Sequence, residues 1–199
     1  MEPEIHLRAE IMRWRKAERQ HRIAARLAMP AEDRRRHAVA MARHLSETLG
    51  DVRGRTVGVY WPFRGEPNLR PWMEQVHARG ALCALPVVIE RHAPLVFRRW
   101  WPGAEMVSGI WNIPVPADGI DVTPDIVVSP VVGFDPACYR LGYGGGFYDR
   151  TLAAMARQPR VIGVGFALAA VATIHPLPHD FPMQAIVTER GCTLPRDSA

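Results

Sequence analysis

Residues 125–150 read D-I-V-V-S-P-V-V-G-F-D-P-A-C-Y-R-L-G-Y-G-G-G-F-Y-D-R, and the rest of the chain is organised around them. The first half is a short run of Val and Ile between Pro124 and Pro130, which is typical of a buried strand in a parallel or mixed sheet. The second half is a glycine loop, whose backbone can adopt positive φ and approach a ligand closely. Because the residues after Gly146 have a helical pattern, the loop is predicted to open onto a helix N-terminus, which favours an anion.

The charged residues on either side of the glycine loop indicate which kind of anion the loop would bind. Arg140 precedes the glycines, and Asp149 lies in the first helical turn after them. A guanidinium suits phosphate oxygens and a carboxylate beside phosphates suits Mg²⁺, so the pattern favours a nucleoside triphosphate. The loop has neither the Gly-Lys-Ser/Thr signature nor the dinucleotide-binding glycine spacing. A glycine-rich surface turn with a capping Asp is the alternative interpretation.

Three further segments have helical signals. Residues 4–27 lack Gly and Pro and predict a long, basic, amphipathic helix. Pro30 is predicted to open a second helix, which ends near Gly50. A third helix, capped by Asn68, is predicted to run to about Arg79.

The strand signals alternate with these helices. Strands are predicted at residues 56–61, 81–88, 126–130, 160–167 and 184–189. Residues 94–100 and 110–116 contain proline and aromatics, and a hairpin or edge excursion is predicted there. The alternation predicts a parallel sheet flanked by helices, which binds ligands beyond the carboxyl ends of its strands. Glu66 and the glycine loop would both lie at that edge.

The composition is that of one globular domain. The chain has 199 residues, of which 48% are hydrophobic, and no run approaches the roughly 18 to 20 apolar positions of a membrane span. The charged N-terminus does not resemble a signal peptide, so a cytoplasmic protein is expected. Three dispersed cysteines indicate unpaired thiols in a reducing compartment. Cys138 lies near the glycine loop but has no evident base, so it is not expected to be a nucleophile.

The basic charge of the chain leaves nucleic-acid binding open as a hypothesis. The net charge is +5, and much of the arginine lies in the first 43 residues, including Arg34, Arg35 and Arg36. A basic helical face can bind RNA or a small polyanion, but it is most often simply solvated. RNA-binding domains usually present exposed aromatics on a sheet, whereas these aromatics lie in apolar strands or turns, so nucleic acid is not the expected partner.

The segment G-F-D-P-A-C-Y-R-L-G-Y-G-G-G-F-Y-D-R strongly resembles the signature of the 5-formyltetrahydrofolate cyclo-ligase family. Weaker matching blocks follow the family's order: two basic helices, Y-W-P-F-R-G-E-P, A-L-P-V-V and P-H-D-F-P-M-Q-A-I-V-T-E-R-G. The resemblance implies an α/β fold, a three-layer α/β/α open sandwich with a mostly parallel sheet, similar to the sugar-phosphate isomerase and CoA-transferase group. It also implies a single domain over residues 1–199, with a basic helical segment at 1–50 and an α/β core at 55–190.

The resemblance implies an ATP site on the glycine loop. The loop residues expected to contact ATP are Arg140, Leu141, Gly142, Tyr143, Gly144, Gly145, Gly146, Phe147 and Tyr148, and Arg140 and Tyr148 are expected to be catalytic. In the first helix, the matching block R-K-A-E-R places Lys16 at the phosphates, with Arg15 and Arg19 as neighbours. Spaced cations on a helix can neutralise a triphosphate, although a solvated basic face is the alternative for each of them.

The resemblance also implies a folate pocket and a magnesium site. Glu66 and Phe147 match the residues that contact folate, and a carboxylate can accept hydrogen bonds from the amino-pyrimidine edge of a pterin. Asp149 and Asp180 match carboxylates that hold Mg²⁺, which usually takes one or two carboxylates besides phosphates and water. His175 and His179 flank this region, but the prolines between them argue against a zinc site.

The implied reaction converts 5-formyltetrahydrofolate to 5,10-methenyltetrahydrofolate with ATP and Mg²⁺, through phosphorylation of the formyl oxygen and ring closure. The expected partner is a reduced folate, with or without a polyglutamate tail, and the protein is expected to be a monomer. Three positions depart from the family pattern, namely Val115, Ala170 and Gln184. They leave open a divergent ATP-binding paralogue that acts on another formyl or carboxyl substrate.

Overall fold

The computed structural model describes residues 2–196, which form a mixed α/β fold. Its α-helices are α1 (Glu2–Ala28), α2 (Ala31–Leu49), α3 (Arg70–Ala78) and α4 (Phe147–Ala154). All four helices were predicted from the sequence. Gly50 ends α2 with φ of 68°, a left-handed conformation that a glycine adopts at little cost. Asn68 lies one residue before the N-cap of α3, and its side chain accepts a hydrogen bond from the Arg70 amide at 3.2 Å.

The strands are short. They are β1 (Thr56–Gly58), β2 (Leu82–Val87), β3 (Val96–Trp100), β4 (Met106–Ser108), β5 (Pro114–Pro116), β6 (Asp121–Val122), β7 (Ile126–Pro130), β8 (Gly133–Phe134), β9 (Arg140–Leu141), β10 (Arg160–Val164), β11 (Ala185–Thr188) and β12 (Gly191–Thr193).

Eight strands form one sheet with the order β12-β11-β10-β7-β1-β2-β3-β6. The pairs β11·β10, β10·β7, β7·β1 and β1·β2 are parallel, and the pairs at the two ends are antiparallel. The predicted, mostly parallel sheet is therefore confirmed. β7, which contains the run of Val and Ile, lies near its centre and is buried over Ile126–Ser129.

Two apolar cores cover the two faces of this sheet. One core contains Met41 and Leu45 of α2 and Trp72 of α3, together with alternate residues of the central strands. The other core contains Leu152 of α4 and Phe97 of β3. Helices on both faces make the predicted three-layer α/β/α arrangement. None of the described helices has both the length and the apolar character needed to cross a membrane.

The structure corrects several boundaries. β1 ends at Gly58 instead of residue 61, and β10 ends at Val164, before a 3-10 turn at Ala167–Ala169. Residues 110–116 do not pair with 94–100: β5 forms a hairpin with β4, whereas β3 joins β2 and β6. β12 follows the strand that was predicted to be last. The ends of the predicted domain, residue 1 and residues 197–199, lie outside the described residues.

Candidate active site

The glycine loop, residues 142–146, joins the β8–β9 hairpin to the start of α4. α4 begins at Phe147, as the sequence predicted, and Gly146 precedes it in a left-handed conformation with φ of 64°. Gly144 also has positive φ, at 93°. These two glycines therefore allow the loop to fold tightly against the first turn of the helix. Backbone amides at a helix start favour negative charge, so the geometry suits phosphate groups.

The two charged residues on either side of the glycines contact each other. Nη2 of Arg140 donates to Oδ1 of Asp149 at 2.7 Å, and the guanidinium lies 5.4 Å from the ring centroid of Tyr148. The Phe181 amide donates to the same Asp149 oxygen at 3.3 Å. Arg140 is buried although it carries a charge. The ion pair compensates part of the cost of burying that guanidinium, and it fixes a cation beside the helix N-terminus.

A stripe of four arginines fastens α1 to the rest of the domain. These arginines occur at the helical spacing i, i+4, i+7 and i+11, and they are Arg15, Arg19, Arg22 and Arg26. Each donates to a main-chain carbonyl far away in the sequence: Ile174 for the first, Gly142 for the second, Leu168 for the third and Arg64 for the last. The stripe therefore brings α1 across the glycine loop.

The structure places the three predicted α1 cations in different environments. Arg15 is buried, and its Nη2 donates to Oδ2 of Asp180 at 2.5 Å and to the carbonyl of His175 at 2.8 Å. Arg19 donates from Nε to the carbonyl of Gly142 at 2.7 Å, and burial, followed by the nearby charge of Arg15, lowers its pKa. Lys16 is exposed to solvent on the same helix. Arg15 thus forms a buried ion pair in this structure, whereas Lys16 is accessible.

The two aspartates matched to a metal site are both engaged by arginines. Burial tends to raise the pKa of Asp180, but the hydrogen bonds from Arg15 and the Leu177 amide, together with the charge of Arg15, bring it below the usual range. In residues 2–196, no group of three or more His, Cys, Asp or Glu side chains is arranged to hold a metal ion. Both oxygens of Asp180 accept from Arg15, whereas the contacts of Asp149 with Arg140 and Phe181 use only Oδ1. The donor chemistry of Asp149 therefore fits one carboxylate ligand of Mg²⁺, and Asp180 would have to release Arg15 first.

Glu66 is buried and lies in a polar cluster that includes Tyr143 of the glycine loop. Its Oε1 accepts from the Tyr143 hydroxyl at 3.0 Å, and its Oε2 accepts from the Phe63 amide at 2.9 Å. The Tyr143 hydroxyl in turn accepts from Nη2 of Arg26 at 2.7 Å. Burial raises the pKa of Glu66 to about 7, although the charge of Arg26 opposes this shift. Tyr143 is a loop residue assigned to ATP from the sequence, and its hydroxyl is hydrogen-bonded to the residue assigned to folate.

Sequence reasoning missed Arg26 and Trp111 as site residues. Arg26 continues the spacing of Arg15 and Arg19 along one helical face, and that periodicity was the available signal. The Trp111 ring packs edge-on against Phe147, with centroids 5.8 Å apart. Its backbone is left-handed, with φ of 57°, which a single sequence does not reveal.

The positions that depart from the family pattern have local structural roles. Val115 is buried in β5, and its methyl groups lie close to the Cα of Gly109, where a Cβ would clash with them. The side-chain oxygen of Gln184 accepts a hydrogen bond from the Val161 amide at 2.5 Å. Ala170 bridges to the backbone of Phe134. None of these contacts involves the cluster of Glu66 or the glycine loop.

The remaining candidate residues lie outside the polar cluster. Cys138 is buried, and burial, with a smaller effect of the nearby Asp135, raises the pKa of its thiol to about 11, so that it is a thiol and not a thiolate at neutral pH. The His175 ring packs edge-on against Trp14, with centroids 4.9 Å apart. In α2, Arg35 and Arg36 form exposed ion pairs with acidic residues one turn earlier in the same helix.

The structure defines an α/β protein whose glycine loop and α4 N-terminus follow the carboxyl end of the central strand β7. The model of the 5-formyltetrahydrofolate cyclo-ligase family matches residues 11–189. The chain therefore belongs to the 5-formyltetrahydrofolate cyclo-ligase family.

Individual relatives agree with this placement. The 5-formyltetrahydrofolate cyclo-ligase of Escherichia coli strain K12 is 35% identical over 144 residues, which are 69% of this chain and 79% of that protein. The enzyme of the same name from Mycolicibacterium smegmatis is 32% identical over 148 residues, with 70% and 76% coverage. The solved structure of 5,10-methenyltetrahydrofolate synthetase from Aquifex aeolicus matches with a TM-score of 0.79 at 26% identity and covers 93% of this chain and 94% of its own.

Proposed function

We propose that the protein converts 5-formyltetrahydrofolate to 5,10-methenyltetrahydrofolate with ATP and Mg²⁺. The observation that carries the proposal is the position of the glycine loop between two kinds of chemistry. On one side the loop adjoins the ion pair of Arg140 and Asp149, which suits phosphate and a metal. On the other side Tyr143 connects it to Glu66, which suits the donor edge of a pterin. Family membership supports the same pairing of nucleotide and folate.

The proposed reaction has two steps. The formyl oxygen of the substrate attacks the γ-phosphorus of ATP, and ADP leaves. N10 of the folate then attacks the formyl carbon, loses its proton, and phosphate leaves as the ring closes. Phosphorylation is needed because the oxygen that departs is otherwise a poor leaving group. The protein contributes positioning and charge stabilisation, so no covalent enzyme intermediate is required.

The loop backbone and the side chains around it have proposed roles in this reaction. The loop amides and Arg140 neutralise the transferring phosphoryl group, and Lys16 reaches the phosphates from α1. Tyr148, whose pKa is raised chiefly by burial, remains a neutral hydroxyl that can donate to a phosphate oxygen. Mg²⁺, when bound by Asp149 and the phosphates, would supply further charge neutralisation there. Phe147, flanked by Trp111, is a wall of the folate pocket.

The nature of the cosubstrate and the substrate also bears on the location and oligomeric state of the protein. We propose that it acts as a cytoplasmic monomer formed by one domain, because one-carbon folates and ATP are both small soluble metabolites that a single chain can bind. Arg15 and Arg19 are proposed to approach the phosphates when ATP is bound. For Arg15 this requires exchange of Asp180 for a phosphate oxygen, which keeps the guanidinium paired.

The direct test follows the near-ultraviolet absorbance of the methenyl product with purified protein, Mg·ATP and 5-formyltetrahydrofolate. Product formation that requires ATP and is lost in Asp149→Asn would establish the reaction and support the metal role. A matched control is Asp33→Asn, which changes an aspartate at the start of α2. Nucleotide binding without product would contradict the proposed substrate and favour the divergent paralogue.

A further inference from the structure

Three elements meet at the hydroxyl of Tyr143. Arg26 comes from the last turn of α1, Tyr143 from the glycine loop, and Glu66 from the turn that follows β1. Arg26 is only 3% exposed, and its Nε is held by the carbonyl of Arg64 at 3.1 Å while its Nη2 donates to the Tyr143 oxygen at 2.7 Å. A phenol has one proton, and because it accepts from Arg26 it can direct that proton to Glu66 at 3.0 Å.

The charge of Glu66 depends on the groups that surround it. Arg26 of α1 and Tyr143 of the loop face it, as do Tyr60 beyond the end of β1 and Tyr148 of α4. Burial, the largest effect, favours the neutral carboxyl and brings the pKa to about 7. Arg26 opposes burial more strongly than the Phe63 amide or the Tyr143 hydroxyl does. Without Arg26, burial would raise the pKa of Glu66 further and favour the neutral carboxyl more strongly.

The protonation state of Glu66 matters for the substrate of the proposed function. The pterin edge of a reduced folate presents two N–H donors side by side, and only an ionised carboxylate accepts both of them. A protonated carboxyl carries a hydrogen of its own and would oppose one of the two donors.

We propose that Arg26 is a positioning residue for the folate pocket: it orients Glu66 through the Tyr143 hydroxyl and favours the ionised form of that side chain. The inference rests on the proposed function, since it assigns Arg26 to the recognition of the substrate's pterin. It also gives α1 two separate tasks. Lys16 serves the nucleotide, whereas Arg26, about three turns later, serves the folate.

The test measures KM for 5-formyltetrahydrofolate against pH at saturating Mg·ATP in the wild type and in Arg26→Gln. In the wild type, KM should rise as the pH falls through about 7, because Glu66 becomes protonated. In Arg26→Gln this rise should begin about one unit higher, which makes KM about fivefold larger at pH 7 and leaves it close to the wild-type value at pH 9. KM for ATP should not change.

Two further variants separate charge from packing. Arg26→Lys keeps the charge and should restore most of the wild-type pH profile. Arg22→Gln is the matched control, because Arg22 lies on the same helical face but donates to the carbonyl of Leu168. A pH profile for Arg26→Gln that coincides with that of Arg22→Gln would overturn the proposal, since both would then act only through the docking of α1.

A measurement that needs no activity distinguishes this inference from the proposed function. The titration of Glu66 can be followed by infrared difference spectra of each protein against its own Glu66→Gln variant. Arg26→Gln should shift that titration upward by about one pH unit. An unshifted titration refutes the role of Arg26 whether or not product forms. A shifted titration in a protein that makes no methenyl product would refute the proposed substrate and leave the charge-setting role intact.

Discussion

The ion pair between Arg15 and Asp180 gives the sharpest test of how α1 is held. Its side chains are only 6% and 9% exposed, and the pair joins residues 165 positions apart. Asp180→Asn keeps the shape and one acceptor oxygen but removes the negative charge, which leaves a buried guanidinium without its counter-ion. Losing one partner of a buried pair costs about 3 to 5 kcal/mol. The carbonyls of Ile174 and His175 still accept from Arg15, so we expect the lower value, about 3 kcal/mol.

The measurement is thermal or urea unfolding of the wild type and Asp180→Asn. For a chain of this size, about 3 kcal/mol corresponds to a decrease in Tm of roughly 6 to 12 °C. The pKa of Asp180 is lowered in the folded state, so its contribution is present above the ordinary value of 3.8 and is lost as the pH falls through the folded-state pKa. The difference between the two proteins should therefore shrink in acid.

Controls decide whether the effect comes from the buried pair. Asp33→Asn removes a similar ion pair, with Arg36 at 2.8 Å, but those side chains are 36% and 68% exposed. It should cost less than about 1 kcal/mol. The double variant Arg15→Met with Asp180→Asn should cost less than the sum of the two single variants, because neither charge is then left unpaired. A cost for Asp180→Asn equal to that of Asp33→Asn, or additive costs in the double variant, would refute the reasoning.

Three further predictions concern the glycine loop and its neighbours. Burial raises the pKa of Glu66 from 4.5 to about 7, so its neutral form stabilises the protein in acid and that stability is lost as the pH rises through about 7. Between pH 4.5 and about 7, the free energy of unfolding of the wild type should fall by about 3 kcal/mol relative to that of Glu66→Gln. Parallel curves of unfolding free energy against pH would contradict this. Gly146→Ala should destabilise the protein by about 1 to 2 kcal/mol in urea unfolding, because φ of Gly146 is 64° and a Cβ would lie 2.8 Å from the Arg150 side chain. Gly142→Ala should be nearly neutral, because a Cβ at that position would have no neighbouring atom within 4 Å. Equal urea midpoints for the two variants would count against the loop geometry. Lys16 is the only lysine of the chain, so lysine acetylation reports on this residue alone. If Lys16 contacts the phosphates, Mg·ATP should slow its acetylation, and Lys16→Ala should raise KM for ATP about tenfold. Acetylation at the same rate with and without ATP would exclude the contact.

The central part of the fold could be predicted because its signals are local. The Val and Ile run of β7 and the helix after Gly146 depend on short-range pattern, and both were found at the expected positions. The pairing of residues 110–116 could not be predicted, because two short proline-containing strands have no register signal that distinguishes β3 from β4 as a neighbour. The extra strand β12 is three residues long and follows a tight turn, so its period is too short to detect.

The candidate site could also be predicted only in part. The glycine loop, Arg140 and Asp149 are adjacent in sequence, so their proximity could be foreseen. The partners of Arg15 and Arg26 could not, because a guanidinium that is exposed in one fold is buried against a remote carbonyl in another. The spacing of the four α1 arginines was visible, but a solvated basic face has the same periodicity. Only the tertiary contacts distinguish a fastening stripe from a solvated one.

The arginine stripe of α1 also determines when this helix can take its final place in the fold. The partners of Arg15 lie 159 to 165 residues later in the chain, and those of Arg19 and Arg22 lie 123 and 146 residues later. During synthesis α1 emerges before the sheet, yet its last partners are made after most of the sheet. Contacts this distant in sequence close the longest loops and form late. α1 is therefore made before the sheet but fixed in place after most of it, and a chain lacking residues beyond about 173 would leave Arg15 without its acceptors at Ile174, His175 and Asp180.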